Sequence, residues 1–240
     1  MYYCYICTLF FILMKKYLLV IIALCTSLAY AQINEIGVFA GGSNYVGDIG
    51  NTQYIHPNDY ALGLLYRWNK SPRHAYRFSI TTSQLKAKDS ESPNFARQER
   101  NVSFNTNLTE LSAGMEFNFL DFNLHELTTK VTPYVYSGLS YSFYKASYFD
   151  NYKKQQFIGN QRTLAIPIVL GIKTTLTPKM VLGFEVGARY SFADDIDGSN
   201  PVKQEYSKFR FGNLNSNDWY VFSGFVLTYT FGEKPCYCTD

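Results

Sequence analysis

Charged residues that interrupt apolar, alternating segments are the first residues in this sequence that could do chemistry. Seven of them share a face with glycine, serine and threonine and oppose the large apolar side chains: Arg67, Arg77, Glu110, Glu116, Lys173, Glu185 and Arg189. Charges enclosed at low dielectric are costly unless they are paired, so we expect these side chains to form salt bridges with one another. The near balance of signs predicts a structural charge network, and a gated ion path is the alternative.

The three histidines, His56, His74 and His125, could bind metal or act as general bases. All three lie in predicted loops or turns, and none has the spacing of metal ligands. His56 is the one candidate for a hydrolase base, but it precedes a proline and has no nearby serine partner in sequence. We predict no catalytic residues, no cofactor and no metal.

Residues 194–198 resemble part of a calcium-binding loop because they carry Asp194, Asp195 and Asp197 before a glycine. Ala193 would occupy the first ligand position and Gln204 the twelfth, and neither side chain suits that place. An ordinary solvated loop is therefore the expectation for this segment.

The segments that position these residues alternate apolar and polar side chains with a period of two, which is typical of β-strands. No segment keeps the 3.6-residue apolar period of a helix. Residues 110–119 show an unbroken alternation, with Leu111, Met115 and Phe117 on one face and Glu110 and Glu116 on the other. Eight such segments are predicted, near residues 35–45, 60–68, 76–81, 110–119, 132–144, 164–176, 182–192 and 219–231. Pro167 lies inside the sixth segment and costs a ladder hydrogen bond, so we expect a bulge or weak pairing there.

The connections between the segments alternate in length. Residues 69–74, 121–131 and 177–180 form short or moderate connections, whereas residues 46–59, 86–107, 145–162 and 193–218 form long polar ones. Short turns on one side and long loops on the other are typical of bacterial outer-membrane barrels, whose long loops are extracellular. The sequence therefore predicts an all-β, eight-stranded antiparallel transmembrane β-barrel with both termini in the periplasm.

Composition agrees with an all-β protein, because aromatic residues make up 18% of the 240 residues and charged residues only 17%. The net charge of +3 is small and no basic block is present, so nucleic acid is not an expected partner. Aromatic side chains gather at the predicted strand ends as two interfacial girdles, which favours contact with outer-membrane lipid. The alternative is a secreted soluble β-sandwich whose aromatics form its core.

The amino-terminal residues have the order of a secretory signal peptide. From Met14 the sequence runs through Lys15 and Lys16, an apolar stretch and the small-residue motif at residues 29–31. We therefore expect a signal peptide over residues 1–31 with its true start at Met14, a barrel over residues 32–231 and a periplasmic tail over residues 232–240. An uncleaved transmembrane helix over residues 2–28 is the alternative.

Two cysteines, Cys236 and Cys238, remain after removal of such a leader and lie in the tail. With one residue between them, an internal disulfide would be strained. The two cysteines could cross-link to a partner, bind metal weakly or remain paired under strain. Contact with a partner is our hypothesis for this tail.

Four stretches carry a resemblance to a known family. They are GGSNYVGDIG at residues 41–50, TPYVYSGLSYSFY at 132–144, LAIPIVLGIK at 164–173 and RYSFADDIDG at 189–198. Together they resemble the PorG-like outer-membrane proteins of Bacteroidetes, with the general architecture of OmpA and OmpX. The first and last stretches are the more specific.

The resemblance implies an accessory role in the type IX secretion system, in which the barrel contacts the periplasmic ring proteins of the translocon. It implies no catalytic residues. Two other functions remain open from the sequence: a general surface or adhesion barrel that binds an extracellular ligand through its loops, and an enzyme that modifies outer-membrane lipid.

Overall fold

The computed structural model describes residues 33–126, 128–213 and 215–232. The predicted leader with Met14, and the tail with Cys236 and Cys238, lie outside the described residues. Residues 34–231 form one compact unit.

Eight antiparallel strands close into a barrel in the order β1 to β8, each next to its neighbours in sequence. Their bounds are β1 Ile33–Val46, β2 Asp59–Asn69, β3 His74–Lys88, β4 Ser103–Asn118, β5 Val131–Phe149, β6 Gln155–Thr177, β7 Met180–Ser191 and β8 Trp219–Phe231. β1 pairs with β8 from Asn34↔Phe231 to Val46↔Trp219, which closes the ring. The predicted fold class and all eight predicted strands are confirmed.

The connections define two ends of the barrel. The turn end carries residues 70–73, 119–130 and 178–179, and the loop end carries residues 47–58, 89–102, 150–154 and 192–218. Short helices occur only in the loops of the described chain: a 3-10 helix Asp89–Glu91, the α-helix α1 Phe95–Arg100 and a 3-10 helix Gln204–Phe209. Asn94 caps α1 by accepting a hydrogen bond from the Ala96 amide. No helix among the described residues is both long and apolar enough to cross a bilayer.

The predicted long loop over residues 145–162 is wrong, because most of it is strand. β5 runs to Phe149 and β6 starts at Gln155, so only residues 150–154 connect them. The register shifts between Ala146 and Ser147, where Gly159 has φ +137°. This β-bulge interrupts the alternation of inward and outward residues. The first residues of β6 are mostly polar on both faces, so the sequence shows no apolar period there.

Pro167 produces weak pairing without a bulge. The β5–β6 ladder runs from Val131 to Ser137 and resumes at Ser140↔Ala165 in the same register, leaving out the pairs of Ile166 and Pro167. Proline has no N–H to donate, which accounts for the local gap. On its other side Pro167 pairs with Arg189 of β7.

A broad band of the outward face of the barrel is apolar. Leu62, Leu64, Phe78, Leu170 and Phe225 are each about half exposed, and every strand contributes such residues. The face that the sequence assigned to hydrocarbon therefore points out of the barrel. A surface of this composition suits lipid and would be an unusually large apolar patch in water.

The interior differs in its two halves. Towards the turn end it holds charged and hydroxyl-bearing residues, as the sequence predicts. Towards the loop end it holds large apolar side chains, including Phe39, Leu85, Phe104, Leu108 and Phe222, which form one buried cluster. The inward face is therefore not limited to the charged residues and the glycine, serine and threonine that alternation indicates, because its loop half packs as an ordinary hydrophobic core.

Candidate functional site

The seven predicted interior charges all lie inside the barrel, each at most 5% exposed. Strand alternation places them there, because each shares the inward face of its strand with small polar residues. The structure brings them into contact as pairs and groups. The geometry of these contacts decides between a gated ion path and a structural charge network.

One group surrounds Arg67 near the turn end. Its Nε lies 3.0 Å from Glu116 Oε2 and its Nη1 lies 2.6 Å from Glu35 Oε2. The other oxygen of Glu116 is 2.5 Å from Lys173 Nζ. Two cations and two carboxylates therefore neutralise one another in a region with almost no exposure.

A second group joins Arg77 to Glu185. The guanidinium donates two hydrogen bonds, of 2.6 Å and 2.8 Å, to the two carboxylate oxygens, which is the bidentate geometry that makes such pairs strong. Tyr134 donates a further hydrogen bond of 2.7 Å to Glu185, and the Arg77 guanidinium lies 5.0 Å from the ring centre of Tyr136. The pair is held from several strands at once.

The third pair is looser. Arg189 Nε lies 3.4 Å from Glu110 Oε2, and Arg189 also donates to the carbonyl of Gly187. Tyr220 donates to Glu110 at 2.7 Å, and the Arg189 guanidinium stacks on Phe222 at 4.3 Å. This pair adjoins the apolar cluster of the loop half.

Glu35 is the interior charge that sequence reasoning missed. It is fully buried and accepts hydrogen bonds from Arg67, Asn69 and Thr228. The signal was present in the sequence, because the predicted set had four cations and only three carboxylates. Glu35 supplies the missing negative charge, so the interior carries four of each sign.

The turn end is closed by the connection between β4 and β5. Phe122 is 3% exposed, and its ring centre lies 4.8 Å from Lys173 Nζ. Its amide donates to the carbonyl of Pro72, as does the side-chain amide of Asn118. This connection therefore packs against the β2–β3 turn and covers the charged interior at the turn end.

The loop end is closed by residues 47–58, 89–102 and 192–218, which we call the loop cap. Arg100 forms a salt bridge of 2.7 Å with Asp89 and donates to the carbonyl of Asp48. The Asp48 carboxylate in turn accepts from the Asn213 amide at 3.0 Å. Ile49 and Ile196 are fully buried in the same apolar cluster that fills the loop half of the barrel. The three loops thus pack as one body.

Buried carboxylates lie within this cap. Asp197 is fully buried and Asp218 almost so, and the Tyr45 hydroxyl bonds to Asp218. Burial and the neighbouring Asp197 carboxylate raise the pKa of Asp218 well above its usual range, and burial raises the pKa of Asp197 to about 6. The expectation of an ordinary solvated loop at residues 194–198 is wrong, because the segment contributes to a core.

The segment does not assemble a metal centre either. The Tyr144 hydroxyl donates a hydrogen bond to the Asp195 carboxylate, and the Ser199 amide donates to the Asp197 carboxylate at 2.8 Å. Among the described residues no group of three or more histidine, cysteine or acidic side chains is arranged to hold a metal ion.

The histidines are spread over the surface. His74 lies at the turn end, where its ring meets Phe117 at 5.2 Å, and His125 lies in the β4–β5 connection. His56 lines a groove of about 460 Å³ with Asn58, Lys86 and Glu91. No serine is among the described residues that line this groove.

The closed antiparallel ring, its apolar outward band and the buried side chains that the described residues place inside it define an eight-stranded transmembrane β-barrel. The chain belongs to the family described as Domain of unknown function (DUF6089), whose model matches residues 14–240. No curated protein sequence matches it.

Solved structures similar to the barrel are outer-membrane proteins. Ail, the attachment invasion locus protein of Yersinia pestis, solved with the heparin analogue sucrose octasulfate, is 11% identical, with 84% of this chain and 99% of that chain covered and a TM-score of 0.46. The amino-terminal barrel domain of OprF from Pseudomonas aeruginosa is 13% identical, with coverages of 84% and 98% and a TM-score of 0.43. Neisserial surface protein A is 12% identical, with coverages of 83% and 95% and a TM-score of 0.42.

Proposed function

We propose that this protein is a non-enzymatic outer-membrane barrel that serves as a membrane anchor for other proteins and does not conduct solutes. Its outward apolar face supports contact with lipid, since a closed barrel leaves no unpaired strand edge in hydrocarbon. In this arrangement the loop end is extracellular, and both ends of the chain lie on the periplasmic side.

The filled interior is the observation that carries the proposal. A channel needs a continuous polar path, yet here the charges neutralise one another and the loop half is an apolar core. Phe122 and the loop cap close the two ends. A barrel of this kind acts through its surfaces.

The assembly that we propose it anchors is the type IX secretion system. The support is the resemblance of residues 41–50 and 189–198 to PorG-like proteins, and the expected contact is the periplasmic tail with Cys236 and Cys238. Deleting the gene should reduce export of type IX cargo, and a plasmid copy should restore it. An unchanged secretome in the deletion strain would refute this role.

A second candidate function is extracellular binding through the loop end. It is favoured by the packed loop cap, because a preformed surface loses little entropy when it binds, and by the extension of β6 beyond its neighbour β7. Replacing residues 89–102 and 192–218 by short turns should abolish surface attachment and leave secretion intact. Loss of secretion with attachment unchanged would favour the anchoring role alone.

A further inference from the structure

The outer part of β6 has one unpaired edge. β6 pairs with β5 from Gln155 onwards, but its pairing with β7 begins only at Ala165↔Ser191. The last backbone contact on the β7 side is the Phe192 amide, which donates to the carbonyl of Leu164 at 2.9 Å. Among the described residues, none donates to or accepts from the backbone of residues 155–163 on that side.

Alternation shows which groups point to this edge. Because the carbonyl of Leu164 points towards β7, the backbone N–H and C=O groups of Arg162 and Asn160 point in the same direction. The segment lies beyond the girdle that Tyr190, Phe192 and Trp219 mark. It therefore lies outside the hydrocarbon, where an unpaired edge is tolerated.

The fold closes its other extended edges at the loop end. Beyond the β4–β5 ladder, the Gln155 side chain accepts from the Asn105 amide at 3.0 Å and donates to its carbonyl at 3.2 Å. On β3, the carbonyl of Gln84 accepts from Ser43 and that of Lys86 from Asn58. The contrast singles out β6, whose edge has no such cover among the described residues.

A groove accompanies the open edge. It measures about 490 Å³ and lies between Gln161, Arg162 and Thr163 on one side and Phe192, Val202 and Arg210 of the long loop on the other. This volume is in the range of sites that bind small ligands, and the groove lies directly beside the open backbone edge.

We propose that β6 binds an extended segment of a partner protein by strand addition. The partner backbone pairs with Asn160 and Arg162, and an acidic side chain of the segment pairs with the exposed Arg162 guanidinium. Exposed edges are templates for such pairing, and the bulge at Gly159 limits the pairing to a short segment. The inference deepens the second candidate function and rests on it.

The test uses the purified full barrel in detergent and a panel of synthetic peptides as long as the open edge. The peptides alternate β-branched and polar residues and differ in the position of one glutamate. Amide exchange at Asn160 and Arg162 should slow about tenfold at a peptide concentration of ten times Kd. The same peptides N-methylated on every amide, so that neither edge can donate a hydrogen bond, should give no protection.

Two variants separate pairing from a change in folding. Asn160→Pro removes an N–H on the open side only. It should abolish protection of the Arg162 amide, while the barrel keeps the heat-modifiable mobility on a gel that marks a folded barrel. Gln161→Pro removes an N–H that pairs with β5 and should loosen the hairpin itself. Arg162→Glu should favour peptides in which lysine replaces the glutamate.

Equal binding of the methylated and unmethylated peptides would overturn the proposal, as would no protection by any peptide. Protection that rises with barrel concentration in the absence of peptide would overturn it in favour of a second copy. Because the assay uses purified protein, its failure is distinguishable from a failure of the attachment experiment on cells.

Discussion

At the scale of single residues, the interior charges act as a structural network whose members depend on one another. Glu185→Gln would leave the Arg77 guanidinium buried beside a neutral amide, and Arg77 is 3% exposed. Breaking a buried pair in this way costs about 3–5 kcal/mol. We expect that loss in the free energy of unfolding, measured by urea titration in lipid vesicles.

The matched control is Asp121→Asn at the turn end, which breaks the exposed pair with Arg73. Both side chains are at least half exposed, and such pairs contribute about 0–1 kcal/mol. A Glu185→Gln loss no larger than that of Asp121→Asn would show that the interior charges do not support the fold.

The buried aspartates of the loop cap make its stability depend on pH. The pKa of Asp197 is about 6 in the folded cap against an ordinary 3.8, because burial disfavours the charged form. The folded cap therefore retains a proton that the unfolded cap releases, so stability is greatest below about pH 4 and falls as the pH rises through 6. Limited proteolysis of residues 192–218 should be faster at about pH 8 than at about pH 5.

Asp218→Asn is the control for this pH dependence. The variant removes one of the two carboxylates that repel each other at high pH and keeps an oxygen that can accept from the Ile196 amide. Cleavage relative to wild type should then fall at high pH. Equal pH profiles for the two proteins would contradict the raised pKa.

At the scale of elements, the β4–β5 connection closes the turn end of the barrel. Phe122 is 3% exposed against the charged interior, whereas Leu120 in the same connection is 54% exposed. Phe122→Ala should cost about 3–5 kcal/mol of unfolding free energy, because it opens a cavity under Lys173. Leu120→Ala should cost clearly less, and equal losses would mean that the connection does not pack into the barrel.

The strands show what sequence can and cannot predict. Alternation located all eight segments and the seven interior charges, because one periodic signal fixes both strand and face. It failed at residues 145–162, where a bulge at Gly159 shifts the period. It also missed the apolar loop half of the interior, since an apolar residue on the inward face has no local signature that separates it from a lipid-facing one.

The contacts within the loop cap could not be predicted either. Asp48 and Asn213, or Tyr45 and Asp218, are more than 160 residues apart in sequence. Their pairing depends on the closure of the ring, which brings β1 beside β8. The open edge of β6 follows from the different lengths of β6 and β7, and a single sequence does not show how far each ladder extends.

At the scale of the whole molecule, a filled barrel should not conduct ions. Purified protein in a planar bilayer is expected to give no discrete current steps above the protein-free baseline, because the described residues leave no continuous polar path across the interior. A variant that removes Phe122 and residues 192–218 together serves as the opened control. Regular steps from the intact protein would support the gated ion path instead.

The central claim is that the apolar face points to lipid and the charged face is enclosed, and spin-label accessibility tests it most directly. Nitroxides are placed at Leu64 and Phe225 on the outward face, at Ser112 inside and at Tyr152 in a loop, in a Cys236→Ser, Cys238→Ser background. In lipid vesicles, oxygen should relax the labels at Leu64 and Phe225 while a water-soluble nickel complex reaches only Tyr152. A nickel complex that relaxes the Leu64 and Phe225 labels as strongly as the Tyr152 label would contradict the account.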